Sequence, residues 1–134
     1  MSTGTVYGFT KIVVDDLDRI ADFYTKTVGY KPLQRVKAVC GGEDIEEIIM
    51  VLGEGYGEGI PLIVWKWLER EAPADTDAIL GFQTDDVDAL YQRVLDNGGT
   101  GMDEPHDQLH HGVRVGFAKD PDGRVLELVQ MLGS

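Results

Sequence analysis

The chain repeats itself. Asp15-Asp16-Leu17-Asp18 returns 70 residues later as Asp85-Asp86-Val87-Asp88, and the same offset carries Ile20 onto Leu90 and Gly29 onto Gly99. Acidic helix cap, apolar stripe and glycine stop agree at one spacing, which marks an internal duplication. In the first copy Leu17, Ile20, Ala21, Tyr24 and Val28 fall at helical spacing. Val87, Leu90, Tyr91, Val94 and Leu95 do so in the second. The first helix is preceded by a strand over about 6–14 and followed by strands near 31–39, 45–52 and 62–68. A polar, proline-containing linker over 69–77 precedes the second copy, whose first strand reads over 78–84. Module one (about 5–68) and module two (about 78–131) each read as strand, helix and about three strands. Neither can bury both faces of such a sheet alone. The pattern predicts one α+β domain, two βαβββ modules paired around a half-open sheet cavity.

The end of the second module singles out a carboxylate. Asp120-Pro121-Asp122-Gly123 is a tight-turn sequence, with proline presetting φ and glycine supplying a positive one. In the run that follows, Val125, Glu127 and Val129 share one face while Leu126 and Leu128 share the other. A carboxylate among valines costs free energy unless it is paired, protonated or bound to something.

Charge and cysteine content exclude several classes. With 24 acidic against 12 basic side chains the net charge is −12, which speaks against nucleic acid or an anionic membrane as partner. The single cysteine, Cys40, cannot form an internal disulfide. No apolar run approaches the ~20 residues of a membrane span, and the N-terminus lacks a signal-peptide pattern, so the expected location is cytoplasmic. The glycine-rich loop over 53–59 has no Gly-Lys-Ser/Thr and opens a strand, so it reads as a hairpin loop with Tyr56 as a lid candidate.

A duplicated βαβββ module, with Asp-Leu-Asp at the first helix and Lys119-Asp120-Pro121-Asp122-Gly123 followed by Leu126-Glu127-Leu128 at the end, resembles the vicinal-oxygen-chelate superfamily. That group includes glyoxalase I, extradiol dioxygenases and the fosfomycin- and bleomycin-resistance proteins. The resemblance implies a homodimer and sheets whose inner faces surround a ligand or a divalent metal. Metal ligands would come from the first, fourth, fifth and last strands. Carried onto this sequence, the first falls on Phe9, the fifth-strand one on Ile79 and the fourth-strand one on or beside Leu62. Only Glu127 remains, and catalytic metal sites want about three protein ligands. The expectation is therefore no metal and no cofactor.

Strand alternation then predicts what lines the cavity. Phe9, Lys11 and Val13 are expected inward from the first strand, Leu62, Val64 and Lys66 from the fourth, Ile79, Gly81 and Gln83 from the fifth, and Val125, Glu127 and Val129 from the last. Trp65 and Trp67, alternating with these, are expected beneath the helices, with stacking on a ligand as the alternative. Glu46 and Glu47 put one carboxylate on each face of the third strand. Lys11 and Glu127 are candidates for a buried ion pair, either structural or acid–base. His106, His110 and His111 cluster in what reads as a loop, open to three readings: solvated, closing on a ligand with His110 or His111, or binding metal together with Glu127. Arg114 is a candidate carboxylate binder. Two functions fit: a non-enzymatic binder of a small apolar, aromatic or cationic molecule, or a metal-independent lyase or isomerase with Glu127 as acid–base and Lys11 or His111 assisting. A metal-dependent glyoxalase or dioxygenase is a third.

Overall fold

The computed structural model describes residues 3–54, 59–75 and 77–133, so Tyr56 lies outside the described residues. In order, the elements are β1 (Thr10–Val13), α1 (Leu17–Thr27), β2 (Lys31–Cys40), β3 (Glu43–Val51), β4 (Leu62–Trp67), β5 (Leu80–Gln83), α2 (Val87–Asp96), β6 (Thr100–Gln108), β7 (Val113–Lys119) and β8 (Val125–Met131). The duplication is real at the level of structure. β5 and α2 begin 70 residues after β1 and α1, and the sheets have matching orders, β1-β4-β3-β2 and β5-β8-β7-β6. In both, the first and last strands of the repeat pair in parallel and every other pairing is antiparallel. Among the described residues no helix is long and apolar enough to cross a membrane.

Two strands are shorter than the sequence suggests. Phe9 and Ile79 each precede their strand by one residue and are 53% and 58% exposed. The segment 100–108 is a strand, β6, although its Asp, Glu, Pro and His content argues for a loop. Pairing with β7 is interrupted by two register shifts between Gly101 and His106, which accommodates the proline.

The chain forms two compact units. One runs up to Ala21 and continues over Gly29–Pro73; the other comprises Asp22–Val28 and the chain from Ala74 onward. The acidic caps work as their spacing predicts. Asp16 Oδ1 accepts from the Arg19 amide at 3.0 Å and Asp86 Oδ1 from the Ala89 amide at 3.1 Å. In the second unit α2 packs on the sheet through Val87, Leu90 and Val94, with Leu126, Leu128 and Ala118 buried in the strands. Burying one such aliphatic side chain stabilises by about 1.5–3 kcal/mol. Gly99 permits the turn out of α2, because a Cβ there would meet Val94 Cγ1 at 2.5 Å and the Lys119 carbonyl at 2.6 Å.

A repeated device ties helix to sheet. Asp18 and Asp88, in the first turns of α1 and α2, each engage an arginine from their own unit's sheet. Arg35 Nη1 meets Asp18 at 2.7 Å and Arg35 Nε meets Glu46 at 2.7 Å. Arg114 donates to Asp88 at 2.9 and 3.0 Å and to Asp107 at 3.1 Å. Hydrogen bonding to Arg114 lowers the Asp88 pKa, and both arginines are raised by their carboxylate partners. Of the two readings open for Arg114, carboxylate binder or solvent-facing, the carboxylates it meets are the chain's own, Asp88 and Asp107.

Candidate functional site

In the first unit, register decides which side chains face which way. Ile12 pairs with Val64, Thr10 with Leu62 and Lys11 with Ile63. Leu62, Val64 and Lys66, expected beside Phe9, Lys11 and Val13, therefore lie on the opposite face. A one-residue slip between strands exchanges a whole face, and nothing in the two separate strand sequences fixes that slip. Leu62 and Val64 are buried, and Lys66 Nζ donates to the Asp15 carbonyl at 2.7 Å, just before α1. Trp65 and Trp67, expected beneath a helix, instead share the face of Lys11.

That face carries an alternating ladder of cations and rings. Lys11 Nζ lies 5.5 Å from the Phe9 ring centroid and 4.0 Å from that of Trp65. Trp65 meets Trp67 edge-on at 5.2 Å, and the Arg70 guanidinium carbon sits 4.0 Å over Trp67. Both cations are held by carboxylates of β3: Lys11 Nζ is 3.2 Å from Glu47 Oε1, and Arg70 Nε is 2.9 Å from Glu43 Oε1. Lys11 therefore pairs with Glu47 and not with Glu127. Of the two candidate carboxylates on β3, Glu47 turns to this face and Glu46 to the helix side. Cation–ring contacts of this kind contribute about 0.5–2 kcal/mol each.

Two members of this cluster are sealed off. Glu47 is 8% and Trp65 7% exposed, and among the described residues neither Glu47 Oε1 nor Trp65 Nε1 has a hydrogen-bond partner. For Glu47 the nearby ammonium supplies the charge without an aligned bond. Trp65 Nε1–H has no acceptor among the described residues, a cost of about 1–3 kcal/mol for a buried donor. At the end of β4 a recess of about 500 Å³ is lined by Asp15, Lys66, Trp67, Arg70 and Glu71 among others. Its rim is charged, unlike the apolar lining typical of small-molecule pockets.

In the second unit the β5–β8 register places Gly81 beside Glu127 and Gln83 beside Val129. On the other side Glu127 pairs with Phe117 of β7, which sequence reasoning missed because β7 was not placed in register. Glu127 is half-buried between a ring and a glycine whose missing Cβ leaves open space. It makes no ion pair among the described residues.

The histidines divide. His106 lies on β6 opposite Val115, its Nε2 2.9 Å from Asp103 Oδ2, on the face of Glu127 but two strands away. Two inter-strand spacings, with two residues of offset along β8, make that roughly 12 Å. His110 and His111 sit exposed in a short helical turn, Leu109–His111, at the tip of the β6–β7 hairpin. The hairpin end pairs Val113 with Met131, four residues along β8 from Glu127, or about 13 Å. His111 is thus not brought within proton-transfer reach of Glu127, and the three histidines share no site with it. Among the described residues no group of three or more His, Cys, Asp or Glu side chains is placed to hold a metal ion.

The chain matches the family model for the Glyoxalase/Bleomycin resistance protein/Dioxygenase superfamily over residues 7–128. It is 32% identical over 123 residues to a lactoylglutathione lyase of Arabidopsis thaliana, covering 87% of this chain and 41% of that protein. The chain thus spans about two fifths of the length of that relative. Among solved structures, a glyoxalase family protein from Bacillus cereus superimposes with a TM-score of 0.81 at 18% identity, covering 99% of each chain. TnmS3, an antibiotic binding protein from Streptomyces sp. CB03234, superimposes with a TM-score of 0.72 at 26% identity, covering 97% of this chain and 99% of its own.

Proposed function

This chain belongs to the Glyoxalase/Bleomycin resistance protein/Dioxygenase superfamily, and we propose that it is a small-molecule-binding member whose family metal site has been lost. The observation that carries this reading is the donor set. The positions that resemblance assigns to metal ligands are Phe9, Leu62 with its neighbour Ile63, and Ile79, none of which has a donor atom; only Glu127 does. One carboxylate does not fit a catalytic divalent ion, and no step is routed through one. The ligand is apolar or aromatic, with one or two polar handles. Supporting this are the rings of Phe9 and Trp65 around Lys11, with Trp67 edge-on to Trp65, and a structural neighbour described as binding an antibiotic. The proposed location is the cytoplasm and the proposed assembly a homodimer, to which the exposed apolar side chains Val6 and Tyr7, just before the edge strand β1, lend support.

A second reading, a metal-independent lyase or isomerase, rests on Glu127, a half-buried carboxylate beside open space at Gly81. Glu127→Gln separates the two. Once a thermal-shift screen of small aromatics has supplied a ligand, a binder should keep its affinity within about tenfold in the variant. An acid–base enzyme should lose turnover by about 10²–10⁴-fold. Turnover in the parent chain that collapses in Glu127→Gln would replace the binding reading with the enzymatic one.

A further inference from the structure

We propose that the polar handle recognised by this protein is an oxygen acceptor, a carboxylate or carbonyl on a flat aromatic body, taken by Lys11 Nζ and Trp65 Nε1 on the Lys11 face of the first sheet. The inference rests on the binding reading above and names its ligand class.

Three observations lead to it. Trp65 is more than nine-tenths buried, yet its Nε1–H has no acceptor among the described residues. Such a donor is normally satisfied by the protein or by something bound. On the same ring stands the Lys11 ammonium, 4.0 Å from the centroid and one-third exposed. An ammonium has three donors and Glu47 faces it with one oxygen at 3.2 Å, so capacity remains for an incoming acceptor. Finally, Phe9 is 53% exposed beside Lys11, offering a flat apolar surface next to the charge.

The chemistry selects against cations. Lys11 already occupies the place over Trp65 and against Glu47 that a ligand ammonium would want, and its tether gives it a high effective concentration there. An oxygen acceptor instead meets two donors, and binding relieves the unpaired indole N–H. Glu47 acts as a positioning residue, holding Lys11 over the ring.

The test uses the full chain, nitrogen-labelled, with naphthoate, uncharged naphthylmethanol and cationic naphthylmethylammonium as probes. Trp65 and Trp67 each give one indole N–H resonance, and Trp67→Phe assigns them. The expected result is saturable naphthoate binding that moves the Trp65 resonance downfield, with Kd rising tenfold or more in Lys11→Met and less in Lys11→Arg. Because Lys11→Met strands Glu47 without its counter-ion, Lys11→Met/Glu47→Gln is measured alongside and should show the same loss. Naphthylmethylammonium binding as tightly as naphthoate, an unchanged Kd in both lysine-free variants, or saturation that leaves the Trp65 resonance in place would overturn the proposal. So would no binding by any probe in the millimolar range. Probe binding whose shifts avoid Lys11, Glu47 and Trp65 ends this inference but leaves a binding protein. The broader reading fails on a different result, a tightly held transition metal.

Discussion

Replacing Asp120 by alanine should cost about 3–5 kcal/mol of folding stability, the range seen when one partner of a buried ion pair is removed. Asp120 is 2% exposed, and among the described residues its carboxylate accepts four hydrogen bonds. Oδ2 accepts from Tyr24 Oη at 2.6 Å and Arg124 Nη1 at 2.5 Å, and Oδ1 from the amides of Asp122 at 3.0 Å and Arg124 at 2.9 Å. Truncation removes the nearest carboxylate from the Arg124 guanidinium, which is 5% exposed, leaving Asp122 at 3.9 Å, and takes away the acceptor of the Asp122 and Arg124 amides. By contrast Asp88→Ala, at an exposed ion pair, should cost far less than Asp120→Ala. Urea denaturation of both variants measures the difference. A loss for Asp120→Ala no larger than that for Asp88→Ala would mean the cluster does not hold this turn.

The same cluster makes stability fall at alkaline pH. Burial, then the neighbouring Asp120 carboxylate, holds the Tyr24 phenol well above its ordinary pKa of 10.0, with Arg124 opposing. The unfolded chain therefore loses this proton first. Below about pH 10 both states keep it and the full stability is present; above that the unfolded state is favoured, by up to about 1.4 kcal/mol per pH unit for one proton. The decline continues until pH passes the raised, folded-state value. Tyr30 is raised as well, by burial, so the prediction is a difference: Tyr24→Phe should be less stable than the parent at pH 7 yet have a flatter decline above pH 10. Parallel curves for parent and variant would contradict it.

How much of this was written in the sequence depends on distance along the chain. The duplication, both helices and their caps follow from short-range spacing, and each appears where the offset puts it. The face of Glu127 is likewise readable, because alternation within β8 is local. What a single strand cannot encode is its slip against a partner distant in sequence. The parallel pairing of β1 with β4 turned Leu62, Val64 and Lys66 to the face opposite Lys11, brought Trp65 to Lys11 and put Trp67 on the same face. It also gave Lys11 to Glu47. That carboxylate was identifiable as facing one side or the other, but not as the partner. For Asp120 the turn chemistry was legible, whereas its bond to Tyr24, ninety-six residues earlier, was not.

Native mass spectrometry of the purified chain, before and after incubation with Ni²⁺, Zn²⁺, Fe²⁺ and Mn²⁺, tests the loss of the family's metal site most directly, and the same spectra read the oligomeric state. The account predicts a dimer mass with no stoichiometric metal and no adduct that depends on Glu127. One transition metal ion retained per site, and released in Glu127→Gln, would contradict it.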